Sequence, residues 1–438
     1  MGAGISLKER VSYGLGNFGV NLIFGATGAY LMYFYTDVYG VSPATVASLF
    51  LLARGVDALF DPLLGLAIDR THTRWGKHRP YLLWFALPFA ASGVAVFAAP
   101  ALSGLAKLAY IYVSYTAVGL LYSCISLPLN SMLPTLTRDV RARNTTNAIR
   151  ELLGSSATVG VSYAMLPLVG ALGGGDQQAG FVRAALLLAV LTLAGVAIAF
   201  ANTREREAPE ASPERLTTRQ SLLATRGNWP WIATMLVNLA FWIGFIGHIQ
   251  STIYYARDVA GHAEWAPPLM AMMLVILIGT ALSALVANRI GKPATGMIGA
   301  GIGAICTAAL PLGTSLAWLM AMNALAYAGL GLLGGLLFAF MADAVDFGAW
   351  KSGFRAQGFL FAASSFGVKL GMSIGGAAGA WLLARAHYAP GLPASPQVIS
   401  AITWSHAGLP ALSYLAMAAA LLLFRFPPDY PRGTEKRA

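Results

Sequence analysis

Two carboxylates stand four residues apart in the stretch ARGVDALFDPLLG, where Asp57 and Asp61 interrupt an otherwise apolar run. In a helix that spacing puts both on one face, one turn apart. Two such anions repel each other, and burial adds a desolvation penalty. They persist together where a cation lies between them, where a proton neutralises one, or where a basic side chain pairs with them. Oxygen-only ligands suit a hard cation, so Asp57 and Asp61 read as a site for Na+ or H+. The alternative is a structural ion pair with Arg54 or Lys369. Pro62, directly after Asp61, lacks the N–H that a helix needs and leaves a backbone carbonyl available as a further ligand.

Lys369 lies deep in the apolar stretch SSFGVKLGMSIGG. An ammonium at that depth needs an acidic partner. Asp57 and Asp61 are the acids well inside apolar stretches, so the expectation is that their spans face each other across a central cavity. Arg150, in NAIRELLG, is followed by Glu151. Turned inward, its planar fork of donors suits hydroxyls or a carboxylate; turned outward, it sits at the headgroups. Tyr30, Tyr33, Tyr115, Tyr122, Trp242, Tyr254 and Tyr255 are candidates to stack on sugar faces. The chain shows no phosphate-cradling loop, zinc spacing or Ser/His/Asp set, so neither an enzyme nor a cofactor is expected beyond the coupling cation. Cys124 and Cys306 sit in apolar stretches and read as small packing residues.

The elements that hold these residues follow from composition. Of the 438 residues, 57% are hydrophobic and 11% charged, against about 25% charged in an ordinary soluble domain. Mean hydropathy is +0.63. Apolar stretches long enough to cross roughly 30 Å of hydrocarbon recur from end to end. We read spans at 11–36, 44–69, 79–100, 104–132, 147–172, 180–202, 229–254, 266–288, 294–313, 317–341, 356–387 and 402–426. The 48 glycines are spread through them, as helix packing in a membrane favours. The net charge of +11 does not point to nucleic acid, because the basic residues sit in short loops between spans. With both termini placed in the cytoplasm, one side holds nearly all of them and the other Lys107, Arg183, Arg257 and Arg385. The polar stretch 203–228 reads as a cytoplasmic linker between an N-terminal half, 1–202, and a C-terminal half, 229–438. Short Gly-Lys loops recur at matching places in the halves, IDRTHTRWGKHRP against ANRIGKP, as in parallel-repeat carriers.

YLMYFYTDVYG (30–40), ARGVDALFDPLLG (53–65), TRWGKHRPYLL (73–83), ADAVDFGAWKSGFR (342–355) and the Lys369 segment together resemble the glycoside-pentoside-hexuronide:cation symporters of the major facilitator superfamily. The resemblance implies an all-α membrane protein of about twelve transmembrane helices in two six-helix halves. It implies cation binding at Asp57 and Asp61 with help from Ser123, a lysine near that site at Lys369, and a sugar-site arginine at Arg150. Galactoside carriers of the family place acids where this chain has Asn21 and Ser126, and a tryptophan where it has Asn130. A glucuronide or a pentoside is therefore expected ahead of a galactoside. The charged cytoplasmic loops supply candidate gating residues: Asp69, Arg70, Arg74, Lys77, Arg79, Arg138, Arg141, Asp343, Asp346 and Arg355.

The expected activity is symport of a sugar-like solute with Na+ or H+ across the inner membrane, by a monomer surrounded by lipid. Rivals are a membrane-embedded enzyme or receptor, and a carrier of a non-sugar molecule or lipid on the same fold. An enzyme would need a nucleophile or metal constellation. A receptor would carry a larger soluble domain than the loop at 203–228.

Overall fold

A computed structural model describes residues 5–137, 139–206, 218–354, 356–427 and 429–430. They are helical throughout, with one isolated bridge between Thr73 and Gly76 and no strand among the described residues. In chain order the helices are α1 (Leu7–Tyr33), α2 (Pro43–Arg70), α3 (Arg79–Ala95), α4 (Gly104–Ser131), α5 (Leu133–Leu136), α6 (Val140–Gly173) and α7 (Gln177–Asn202). There follow α8 (Thr218–Thr225), α9 (Trp229–Tyr254), α10 (Ala266–Ala271), α11 (Val275–Ile290), α12 (Lys292–Ala309) and α13 (Leu316–Gly334). The last are α14 (Leu337–Ser352), α15 (Gln357–Arg385), α16 (Pro396–Thr403) and α17 (Leu409–Leu421).

Local chemistry sets several ends. Ser6 accepts from the Glu9 amide at 3.2 Å and starts α1 earlier than the apolar stretch alone suggests. Ser42 accepts from the Thr45 amide at 3.2 Å, with Pro43 at the first helical position of α2. Among the described residues, eight helical segments are long and apolar enough to cross a membrane. With α1, α2, α3 and the α16–α17 segment they give about twelve crossings.

Three expected spans are not continuous α-helix. The eighth breaks into α10, a 3-10 turn at Met272–Leu274, and α11. The tenth ends as α13 at Gly334 and resumes as α14 at Leu337. The twelfth carries a π-turn, Trp404–Gly408, between α16 and α17. Similar π-turns close α1 at Phe34–Val38 and α9 at Tyr255–Val259.

Contacts divide the chain into two compact units. One comprises Met1–Ala211, Ala266–Ala271 and Ala380–Val398; the other comprises Ser212–Trp265, Met272–Gly379 and Ile399–Ala438. In the first, α1 packs on α6 and α7, α3 on α4 and α7, and α2 on α4. Backbones touch where α1 meets α7: a Cβ on Gly195 would lie 2.5 Å from the Leu15 carbonyl oxygen. The Thr192 hydroxyl donates across the same seam to the Gly19 carbonyl at 2.8 Å. The Tyr388 hydroxyl donates to Asp37 at 2.6 Å within this unit. In the second unit α13 packs on α11 and α12, and α17 on α9 and α12. Gly299 and Gly329 face each other there, each leaving room for the other's carbonyl. Of the expected linker, 203–206 is held against the first unit, Thr218–Thr225 forms α8 against α14, and 207–217 lies outside the described residues.

Candidate functional site

α2 positions the acid pair. Asp57 is 2% exposed, and its two oxygens have different partners. Ser123 on α4 donates to Oδ1 at 3.1 Å, and Arg54, a turn earlier on α2, approaches Oδ2 at 3.5 Å. Asp61 follows one turn on and is half-buried. Pro62 sits inside α2, so the carbonyl four residues before it lacks its helical donor. Asp57 and Ser123 meet as oxygen donors, with Asp61 one turn on, and oxygen ligands are those that a hard monovalent cation takes. The Arg54 guanidinium already supplies one positive charge to Asp57, so a cation there shares or displaces it. Among the described residues no cluster of three or more His, Cys, Asp or Glu is arranged to hold a metal ion.

Arg54 and Asp57 also line a cavity walled by α1, α2, α3 and α4. Of the tyrosines singled out from the sequence, Tyr115 and Tyr122 reach it. Tyr122 stacks on Phe24 with ring centroids 4.6 Å apart. An aromatic wall beside a charged pair is the surface that a sugar ring uses, one face apolar and its edge polar.

A second polar cluster joins α1, α4 and α6. Arg150 is 9% exposed, turned into the bundle. Its Nη1 donates to Asn130 Oδ1 and its Nη2 to Glu151 Oε1. Asn17 donates to the Arg150 carbonyl at 3.0 Å, and Asn21 to the Asn17 carbonyl at 2.8 Å. Asn21, Asn130 and Arg150 are thus brought together, with Asn17 as a link that sequence reading missed. A Cβ at Gly154 would lie 2.2 Å from the Asn17 amide nitrogen, so the α6 backbone must come close for the cluster to form. Ser126 is half-buried on α4, one turn before Asn130. Lys369 belongs to the second unit, half-buried on α15, one turn before buried Ser373.

The loop after α2 is tied down by Glu205, which sequence reading did not single out. Its carboxylate accepts from the amides of Lys77, His78 and Arg79 at 3.1, 2.8 and 2.9 Å, and meets His78 Nδ1 at 3.1 Å. It therefore caps α3, where the free amides point. Burial alone would raise its pKa, but the hydrogen bonds from His78 and Arg79 outweigh it and hold the carboxyl down to about 2. Beside it Lys77 pairs with Asp69 at 2.6 Å, and Arg79 donates to the Phe200 carbonyl at 2.6 Å. Glu9 receives both terminal nitrogens of Arg206 at 2.7 and 2.9 Å. Arg74 stacks over Trp75, and Arg70 is exposed. In the second unit Asp343 pairs with Lys292 at 2.7 Å, and Asp346 is half-buried. Arg138, Arg355 and the Arg141 side chain lie outside the described residues.

Residues 12–429 match the family model described as MFS/sugar transport protein. The chain belongs to that family. Among curated relatives of this MFS/sugar transport protein is an isoprimeverose transporter of Lactiplantibacillus pentosus, 37% identical over 97% of this chain and 90% of the relative. A putative glycoside/cation symporter, YagG, of Escherichia coli is 30% identical over 96% of this chain and 92% of its own. A glucuronide carrier protein homolog of the same organism is 29% identical over 96% and 92%. Among solved structures, the nucleoside transporter NupG superposes with a TM-score of 0.67 at 12% identity, over 96% of this chain and all of NupG, which speaks to fold alone. The resemblance to glycoside-pentoside-hexuronide:cation symporters is borne out. As an MFS/sugar transport protein the chain is a multi-pass membrane transporter and not an enzyme.

Proposed function

We propose that this MFS/sugar transport protein is a secondary symporter that couples entry of a sugar or glycoside to a cation, Na+ or H+, by alternating access. The observation that carries the reading is Asp57, a buried carboxylate held by Ser123 and Arg54 on the wall of an aromatic cavity. A cation at Asp57 and Asp61 displaces Arg54 from Asp57, leaving its guanidinium and the cavity tyrosines for solute. Cation and solute then favour each other's binding reciprocally. The names of the relatives support a sugar, isoprimeverose in one and glucuronide in another. Asn21, Ser126 and Asn130 in place of acids and a tryptophan favour a glucuronide or pentoside over a galactoside. Lys369 serves coupling, and the loop charges from Asp69 to Arg79 with Asp343 and Asp346 serve the cytoplasmic gate. The 1–202 and 229–438 halves act as the moving bodies of a monomer in the inner membrane, with both termini cytoplasmic.

The test is uptake of labelled glucuronides, xylosides and galactosides into proteoliposomes, with an imposed Na+ gradient, an imposed proton gradient, or neither. Gradient-driven accumulation of a glucuronide or xyloside is the expected result. Equilibration without accumulation under either gradient would remove the coupling. Uptake of none of the sugars would favour a carrier of another small molecule or lipid.

A further inference from the structure

The second unit contains a buried polar pair unrelated to the acid pair. His248 on α9 and His406 in the Trp404–Gly408 turn are 5% and 0% exposed. Their rings stack with centroids 4.1 Å apart. Tyr255 stacks on His406 at 4.4 Å, and Tyr327 of α13 meets His248 edge-on. These two phenols are the other titratable groups seen against the rings. Among the described residues no carboxylate pairs with either histidine.

Hydrogen-bond accounting gives this pair an odd total. His248 Nδ1 faces the His406 carbonyl at 2.8 Å, and Nε2 faces Asn323 Oδ1 at 2.7 Å. The Asn323 amide cannot turn its nitrogen to the ring, because that nitrogen donates to the Leu319 carbonyl at 2.8 Å. Both ring nitrogens of His248 therefore meet pure acceptors, and both must carry hydrogen. His406 Nδ1 faces the His248 carbonyl at 3.2 Å and Ser251 Oγ at 3.3 Å. The Ser251 hydrogen is spent on the Gly247 carbonyl at 2.6 Å, so Nδ1 of His406 is also a donor. His406 Nε2 is buried with no partner. Three N–H groups are called for, whereas two neutral imidazoles carry two.

We propose that the His248–His406 pair is a proton-binding site in the second unit, holding one proton beyond the neutral pair, with His248 as imidazolium and His406 as the Nδ1–H tautomer. This goes beyond the coupling assigned to Asp57 and Asp61 and does not depend on it. Burial opposes the charge, while two charge-assisted hydrogen bonds and the neutral ring stacked on the imidazolium favour it. The proton ties three elements together: α9 to the Trp404–Gly408 turn through the His406 carbonyl, and α9 to α13 through Asn323. Loss of the proton forces His248 to release one of them. A π-turn at His406 suits that role, since such turns leave backbone groups free to take a second partner.

The experiment is nitrogen NMR of full-length, 15N-histidine-labelled protein in lipid nanodiscs between about pH 5.5 and pH 9, around the usual histidine range. Six histidines are present, and His248→Asn and His406→Gln assign the pair. His248 is expected to carry hydrogen on both nitrogens at the acid end and to release one towards the alkaline end. His406 is expected to keep a bare Nε2 throughout. Asn323→Leu removes one acceptor and should leave His248 neutral across the range. Asn323→Asp should hold the proton at least tenfold more tightly, moving its release up by a unit or more. One bare nitrogen on wild-type His248 at every pH overturns the proposal, as does an imidazolium that survives Asn323→Leu.

Discussion

Replacing Asp57 by asparagine separates the fold from the function of the acid pair. The new carboxamide can be satisfied where the carboxylate stands: suitably turned, its nitrogen donates to Ser123 and its oxygen accepts from Arg54. The fold then loses the charge assistance of those two contacts, about 1–4 kcal/mol together, since bonds to charged groups contribute roughly 1.5–3 kcal/mol and neutral ones about 1. For a unit of this size each kcal/mol lost lowers the melting temperature by roughly 2–4 °C. A bound cation loses the direct attraction of a full charge. A unit charge about 4 Å away is worth about 4 kcal/mol at an effective dielectric of about 20, and each 1.4 kcal/mol is tenfold in affinity. The cation concentration that half-saturates solute uptake is therefore expected to rise by roughly two to three orders of magnitude in Asp57→Asn, in a protein that still folds. The assay is initial uptake into proteoliposomes against Na+ or proton concentration, beside a melting curve. Asp61→Asn should abolish gradient-driven accumulation and leave some downhill exchange. Unchanged cation dependence in both folded variants would refute the assignment of the site.

The other expectations are separable. Lys369→Ala should impair coupling, and its loss combined with Asp57→Asn should be less than additive; additive losses in uptake would show that the two do not interact. Glu205 has a folded-state pKa near 2, below its ordinary 4.5, so its contribution is fully present above about pH 4.5 and is lost as pH falls towards 2. Glu205→Gln should thus be less stable than wild type at neutral pH, by on the order of 1–2 kcal/mol after solvent screening, and its melting curve should change less with acid; equal slopes would refute the cap. Asn21→Asp and Ser126→Asp should weaken an anionic sugar more than its neutral counterpart in competition for uptake. A variant that leaves the pair's ranking unchanged would detach those positions from the solute.

The number and placement of the crossings were legible because the length of an apolar stretch is a direct consequence of the hydrocarbon it must cross. The breaks were less so. Pro267 and Pro268 stand in the first turn of α10, where proline is tolerated, so they do not mark the turn at Met272–Leu274; Gly334–Gly335 resembles the many other small-residue pairs, and the π-turn at Trp404–Gly408 follows from partners elsewhere in the second unit. An apolar window reports burial and says nothing of which carbonyl each amide meets. At the site, Asp57 and Asp61 were visible because charge in an apolar run is rare. Ser123 was reached only by resemblance, since its partner lies 66 residues away. Glu205 was hidden for another reason: its partners are chiefly backbone amides of another segment, which leave no trace in residue identity. His248 and His406 are likewise defined by carbonyls and an amide, and nothing in FIGHIQ or TWSHAG marks them as neighbours.

Arg150 shows where the two readings of the solute part. As a free fork it would grip a carboxylate with two parallel bonds, and a glucuronide would follow. In the folded unit the fork is occupied, Nη1 by Asn130 and Nη2 by Glu151, and only Nε is buried without a partner. The Glu151 side chain is 53% exposed, so a solute carboxylate can displace it, but this exchanges one anion for another and gains little charge energy. A neutral hydroxyl needs a single donor, leaves Glu151 in place, and finds acceptors in the carbonyl oxygens of Asn17 and Asn130. The cluster as built therefore carries nearly balanced charge; as the proposed sugar site it would take a neutral pentoside without rearrangement and a glucuronide only when Glu151 swings away.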